Sequence, residues 1–115
     1  ASGKCFLASL RKGDREKLVR AIAMEKLTDN TINDPEALLL ELKQISRRGY
    51  AIDNEEFMDG MVAMAVPVLD ERNRFLASLA FHGPSMRLDI SDVIEKKDIL
   101  IDAADKLTQL AFLHE

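Results

Sequence analysis

The chain predicts an α+β fold, a small antiparallel sheet flanked by helices. Three observations point there. A helical stripe of Leu38, Leu42 and Ile45 is bounded by Asp34-Pro35 and Gly49. Two apolar runs, Met61 to Leu69 and Phe75 to His82, are separated by the charged turn Asp70 to Arg74. A final helical pattern then runs through Val93, Leu100, Ala104, Leu107 and Ala111. At 115 residues and 47% hydrophobic, the chain can bury the core of one domain.

Element by element, Ser2 is expected to cap a first helix with Phe6, Leu7 and Leu10 as its apolar stripe. Gly13-Asp14 should break that helix and open a second, in which Leu18, Ile22 and Met24 to Leu27 make apolar contacts. Thr28 to Asn33 reads as a polar connector. Asp34-Pro35 starts the third helix, with proline at the first position, where its missing N–H costs nothing. Arg47 and Arg48 suit its C-terminal dipole, and Gly49 stops it.

Tyr50 to Asp53 reads as a short strand and Asn54 to Gly60 as an acidic loop. Met61 to Leu69 is apolar almost throughout, as in a sheet centre, and Pro67 places that end of the strand at an edge or a bulge. In the next strand Leu76, Ser78, Ala80 and His82 share one face, and Phe75, Ala77, Leu79 and Phe81 the other. Ser91 or Asp92 opens a single last helix, whose second apolar set (Ile94, Ile101, Leu113) suggests more than one neighbour. The order is three helices, one strand, a strand pair and one helix. A curved sheet with polar groups at its rim suits a small-molecule pocket.

Composition removes several classes of function. A formal charge of −4 argues against a phosphate-backbone grip, and the basic pairs Arg47-Arg48 and Lys96-Lys97 are flanked by acids. One cysteine excludes an internal disulfide framework and fits a reducing compartment. No signal-peptide pattern or bilayer-length apolar run is present, so a soluble, cytoplasmic protein is expected. No G-x-S-x-G, phosphate-loop or H-E-x-x-H motif occurs, and His82, His114 and Cys5 are too few for a zinc site without carboxylates. Neither a metal nor another cofactor is expected.

The candidate binding groups are modest ones. Backbone N–H groups of Gly3, Lys4 and Cys5 at the first helix start could receive a carboxylate or phosphate, and Gly3 lets a ligand come close. Taken alone, these groups are read more simply as an ordinary solvated or Ser2-capped helix end. Asp53 closes a strand ahead of Glu55 and Glu56, and His82 sits at a strand end before Gly83-Pro84, where it can donate, accept or titrate. The ordinary readings are a solvated acidic loop and a rim histidine. Cys5, near a helix N-terminus, could be a reactive thiol, or a small apolar residue packed inside.

The spacing Gly49-Tyr50-Ala51-Ile52-Asp53-x-Glu55-Glu56, then Gly60, Ala65-x-Pro67-Val68-x-Asp70, Ser78 and Gly83-Pro84-x-x-Arg87-Leu88 resembles the C-terminal effector-binding domain of IclR-type bacterial transcriptional regulators. Ala1-Ser2-Gly3-Lys4-Cys5-Phe6-Leu7-Ala8 looks like that family's first-helix motif, so the resemblance runs from residue 1 to 112. It implies a GAF-like antiparallel sheet flanked by helices, with the N-terminal part of the domain missing here. It also implies a winged helix-turn-helix that reads DNA and is not in this chain, so residues 1–115 are expected to be the C-terminal portion of the effector-binding domain.

Carried over by matching motif, the pocket residues are Ser2, Gly3, Asp53, Ala63, Ala80 and His82. Ala80 and His82 depart from the small hydroxyl residues of many members, and Ala63 replaces a larger one, which implies a different effector. The implied role is sensing without catalysis: a small anionic metabolite binds and shifts a homodimer or homotetramer between arrangements. The rivals are a GAF-like redox sensor or enzyme using Cys5, which requires a low-pKa thiol, and a pure oligomerisation module with a filled pocket.

Overall fold

In the computed structural model, residues 1–22 and 24–113 are described, with side chains through Leu110. The elements are α1 (Ser2–Ser9), α2 (Lys12–Ala21), α3 (Pro35–Arg48), β1 (Ala51–Asn54), β2 (Met61–Leu69), β3 (Phe75–Pro84), α4 (Ile90–Glu95) and α5 (Lys97–Leu113). The strands pair antiparallel in the order β1–β2–β3. Neighbouring β2 residues point to opposite faces, and each face builds its own core. Ala65 joins Ala51, Cys5, Ala8, Val19, Leu38, Leu42 and Ile45 under α1, α2 and α3. Val62, Met64, Val66 and Val68 join Val93, Leu100 and Ala104 under α4 and α5.

The third helix follows its sequence closely. Asp34 accepts from the Ala37 N–H at 3.1 Å, proline holds the first turn, and Gly49 ends the helix at φ +86°. The five-residue turn is also as expected. Asp70 Oδ1 accepts from the N–H groups of Arg72 and Arg74, each at 2.8 Å, and Asn73 takes the left-handed region at φ +60°. Pro67 lies beyond the β1 pairing, which ends at Ala65, and next to an irregularity at Val68/Leu69, so no β1 ladder bond is sacrificed there.

Several expectations need correction. Ser2 lies inside α1 without capping it; Ala1 holds the N-cap position and no side chain closes it. The core face of α1 is Cys5 and Ala8, whereas Phe6 is exposed and meets the Phe75 ring edge-on at 5.3 Å. The first break comes at Leu10, whose extended backbone ends α1, so Gly13 sits within α2. Leu18 and Ile22 are exposed and Val19 is the buried contact, because α2 meets α3 along its other side and stops at Ala21.

The sheet and the C-terminal helices bring further corrections. Leu69 pairs with Phe75 and Val68 with Ala77, so Leu76 is an extra residue. That insertion moves Phe75 onto the face of Ala80, against the α1 core, and away from Leu79 and Phe81. The last helix is two: Asp89, not Ser91 or Asp92, is the cap of α4, in a reciprocal box with Asp92, and Lys96 bends the chain into α5. Leu107 is exposed; one position on, the Thr108 hydroxyl donates to Leu69 O at 2.9 Å and ties α5 to the end of β2. The Ala111 and Leu113 side chains and His114 lie outside the described residues. Among the described residues, no helix is long and apolar enough to cross a membrane.

Candidate functional site

Strand register places Asp53, Ala63 and His82 side by side. Asp53 pairs with Ala63, and Ala63 with His82, so the three form one row across β1, β2 and β3. The next row on this face is Ala51, Ala65 and Ala80. The small side chain of Ala63 leaves volume between the sheet and the helices, whereas Ala65 is packed under them. A cavity of about 590 Å³ opens beside the first row. Its polar end holds Ser2, Gly3, Asp53 and His82, and its walls are largely apolar, with Leu7, Ile32, Leu38 and Met61 among them.

Five of the six residues expected to bind a ligand thus meet around one cavity. Ala63 is 2% exposed and forms part of its floor, while His82, Ser2 and Gly3 are exposed at the rim. Ala80 is not in the lining; it packs on the core around Cys5, one row away from His82. A Cβ added at Gly3 would meet nothing within 4 Å, so protein packing alone does not require glycine there. The amides at the α1 start are those of Ser2, Gly3 and Lys4. The Cys5 N–H is already bonded to Ala1 O at 2.9 Å and drops out of the expected set.

Asp53 is held in place by its own loop. Its Oδ1 accepts from the Glu56 N–H at 2.8 Å, and its Oδ2 lies 3.8 Å from the Ala1 nitrogen. The loop that follows is braced from inside: Glu55 takes φ +55° and its Oε1 accepts from the Gly60 N–H at 2.7 Å. The connector after α2 then clips onto this loop. Thr28 and Thr31 hydroxyls donate to the carbonyls of Glu55 and Glu56, and Asn30 Nδ2 donates to Asn54 O at 2.9 Å. The two segments bring Leu27, Phe57 and Met58, all more than half exposed, to the cavity mouth. Exposed apolar side chains of this size at a mouth suit contact with an apolar ligand body.

The Lys4 side chain was missed in the sequence. Its Nζ donates to Ile52 O and, at 2.9 Å, to Glu56 Oε1, pinning the first turn of α1 to β1 and the acidic loop. Nothing in the sequence pairs residues so far apart; the lysine beside Gly3 was visible only as part of a motif. The expected rival role of Cys5 fares differently. Its thiol is buried, and burial pushes its pKa above the ordinary value against a hydrogen bond with Ser78 that lowers it. A desolvated, protonated thiol is a poor nucleophile. Among the described residues, no three metal-capable side chains come together.

Comparison with known proteins fits this architecture. Residues 1–109 match the family described as bacterial transcriptional regulator IclR C-terminal. The HTH-type transcriptional regulator BhcR of Paracoccus denitrificans is 38% identical over 106 residues, covering 92% of this chain and 38% of that protein. The HTH-type transcriptional regulator KdgR of Escherichia coli is 31% identical over 115 residues, covering 100% of this chain and 44% of that protein. The chain therefore spans less than half the length of these curated relatives.

Among solved structures, the C-terminal domain of E. coli KdgR superposes with a TM-score of 0.86 at 32% identity, over 95% of this chain and 66% of that one. The inducer-binding domain of PobR from Acinetobacter, a double mutant in complex with 3-hydroxybenzoic acid, gives 0.89 at 26% identity, over 95% and 63%. The shared architecture is the GAF-like one of effector-binding domains. The match over residues 1–109, nearly the whole chain, makes this chain a member of the IclR family of bacterial transcriptional regulators.

Proposed function

We propose that residues 1–115 are the C-terminal portion of an effector-sensing, non-catalytic domain that binds a small carboxylate with an apolar body. In the whole regulator, occupancy of the cavity would control DNA binding by an N-terminal winged helix-turn-helix, through a change in the arrangement of a cytoplasmic homodimer or homotetramer. A single observation carries the reading: the α1 amides, Asp53 and His82 converge on one cavity of about 590 Å³. Support also comes from the solved relative whose inducer-binding domain holds 3-hydroxybenzoic acid.

The chemistry assigns distinct roles. The free N–H groups of Ser2, Gly3 and Lys4, at the positive end of the helix dipole, would receive the acid group. Asp53 can only accept when ionised, so it would face a ligand donor such as a hydroxyl, and His82 would either donate or accept. Ala80, one row away and packed against the Cys5 core, would lie outside the binding set. Leu27, Phe57 and Met58 would cover the apolar body.

A thermal-shift screen against aliphatic and aromatic carboxylic acids tests this. An acid at 100 times its dissociation constant should stabilise the protein by about 2.7 kcal/mol. If no acid produces a shift, the carboxylate reading fails. If His82→Ala retains the full shift, His82 is not in the binding set.

A further inference from the structure

Two charged residues in the cavity wall were not in the expected binding set, and they are bonded to each other. Lys4 supplies the only lysine or arginine side chain lining the cavity among the described residues; the carboxylates there are Asp53 and Glu56. The Lys4 ammonium that an entering acid would seek is thus already engaged by a carboxylate.

We infer that Glu56 sets the charge selectivity of the cavity by competing with an entering carboxylate for Lys4, an inference that rests on the carboxylate-sensing reading above. Lys4 Nζ has three N–H donors, of which one goes to Ile52 O and one to Glu56 Oε1. The Ile52 bond fixes the ammonium beside the sheet whether or not Glu56 is attached. A ligand carboxylate can use the third donor or take the place of Glu56, and in both cases the Glu56 charge works against it. The pair is 13% and 20% exposed, so water screens it only in part. Glu56 Oε2 also accepts from the Asn54 N–H at 3.0 Å, a bond that keeps the side chain in reach of Lys4 when the ammonium turns elsewhere.

Glu56→Gln separates charge from shape. The side chain keeps its volume, but its single amide oxygen can hold the bond from Lys4 or the one from the Asn54 N–H and not both, so a structural effect falls on both probes alike, whereas lost repulsion acts on the charged probe alone. Calorimetric titration with benzoate and with benzamide, its neutral counterpart, reads the difference. Benzoate should bind Glu56→Gln about tenfold more tightly than the wild type, the factor given by about 1.4 kcal/mol of removed repulsion. Benzamide affinity should not move. Lys4→Met should weaken benzoate more than benzamide, since the loss of its bonds to Ile52 and Glu56 acts on both probes and the loss of its charge on benzoate alone. Equal gains for both probes, no gain for either, or no benzoate binding to either protein overturns the role of Glu56. The carboxylate reading is judged separately, on the wild-type response to the full acid panel.

Discussion

On the α4/α5 side of the sheet, β2 presents Val62, Met64, Val66 and Val68, whereas on the α1/α3 side it presents Ala63 and Ala65. One strand thus builds a filled layer and a hollowed one. On the filled side, Val93, Leu100 and Ala104 close over the branched side chains. On the other, the helices meet Ala51 and Ala65 at one end, and the cavity opens beside Ala63 at the other. Side-chain volume at alternate positions of one regularly paired stretch, Met61 to Val68, decides which face is filled and where a cavity opens.

Core truncation on the filled side should have the largest effect. Met64 is fully buried, and Met64→Ala should lower stability by about 3 kcal/mol, read as a fall in the urea midpoint at constant slope. A loss under about 1 kcal/mol would mean that this layer is as loosely packed as the other. Filling the hollow side should do the reverse. Ala63→Leu should change stability by less than about 1 kcal/mol and abolish the acid-induced shift of about 2.7 kcal/mol. If it instead costs as much as an overpacked core, about 1–3 kcal/mol, Ala63 does not border free volume.

The helix ends on the cavity side differ as well. Asp34→Ala removes the α3 cap bond and should cost about 1 kcal/mol in the same urea titration, whereas Ser2→Ala, which removes no cap bond, should cost less than about 0.5 kcal/mol. A pH effect lies at the far end of the sheet. The Arg74 N–H, then the Arg74 guanidinium and the Arg72 N–H, hold the Asp70 carboxyl below its ordinary pKa. A depressed carboxyl stabilises the fold above its unfolded value, and that contribution is lost as pH falls through the folded one. The urea midpoint of the wild type should therefore fall more between about pH 6 and about pH 3 than that of Asp70→Asn. Equal falls would remove the turn from the acid response.

Much of this was legible in the residues because it is local. Asp34-Pro35 and Gly49 bound α3 by backbone chemistry alone, and the apolar run at Met61 to Leu69, containing a proline and followed by a charged turn, reads as a buried strand. The shared face of Ala80 and His82 followed from strand alternation, and with the register it puts Asp53, Ala63 and His82 in one row. What failed was non-local. The extra residue at Leu76 reverses the facing of Phe75, and only the β2 partner reveals it. The break at Leu10 carries no glycine or proline, so the sequence moved it to Gly13. The bond between Lys4 and Glu56 joins residues that only the packing of α1 on β1 brings together.

The row of Asp53, Ala63 and His82 also acts as a ruler. Adjacent strands lie about 4.8 Å apart, so the backbones of Asp53 and His82, two strands removed, stand about 10 Å from each other. Under the binding role proposed above, a ligand that touches both side chains has its polar groups set apart along the row, with Ala63 beneath its middle, so ligand length becomes a variable to scan alongside ligand charge.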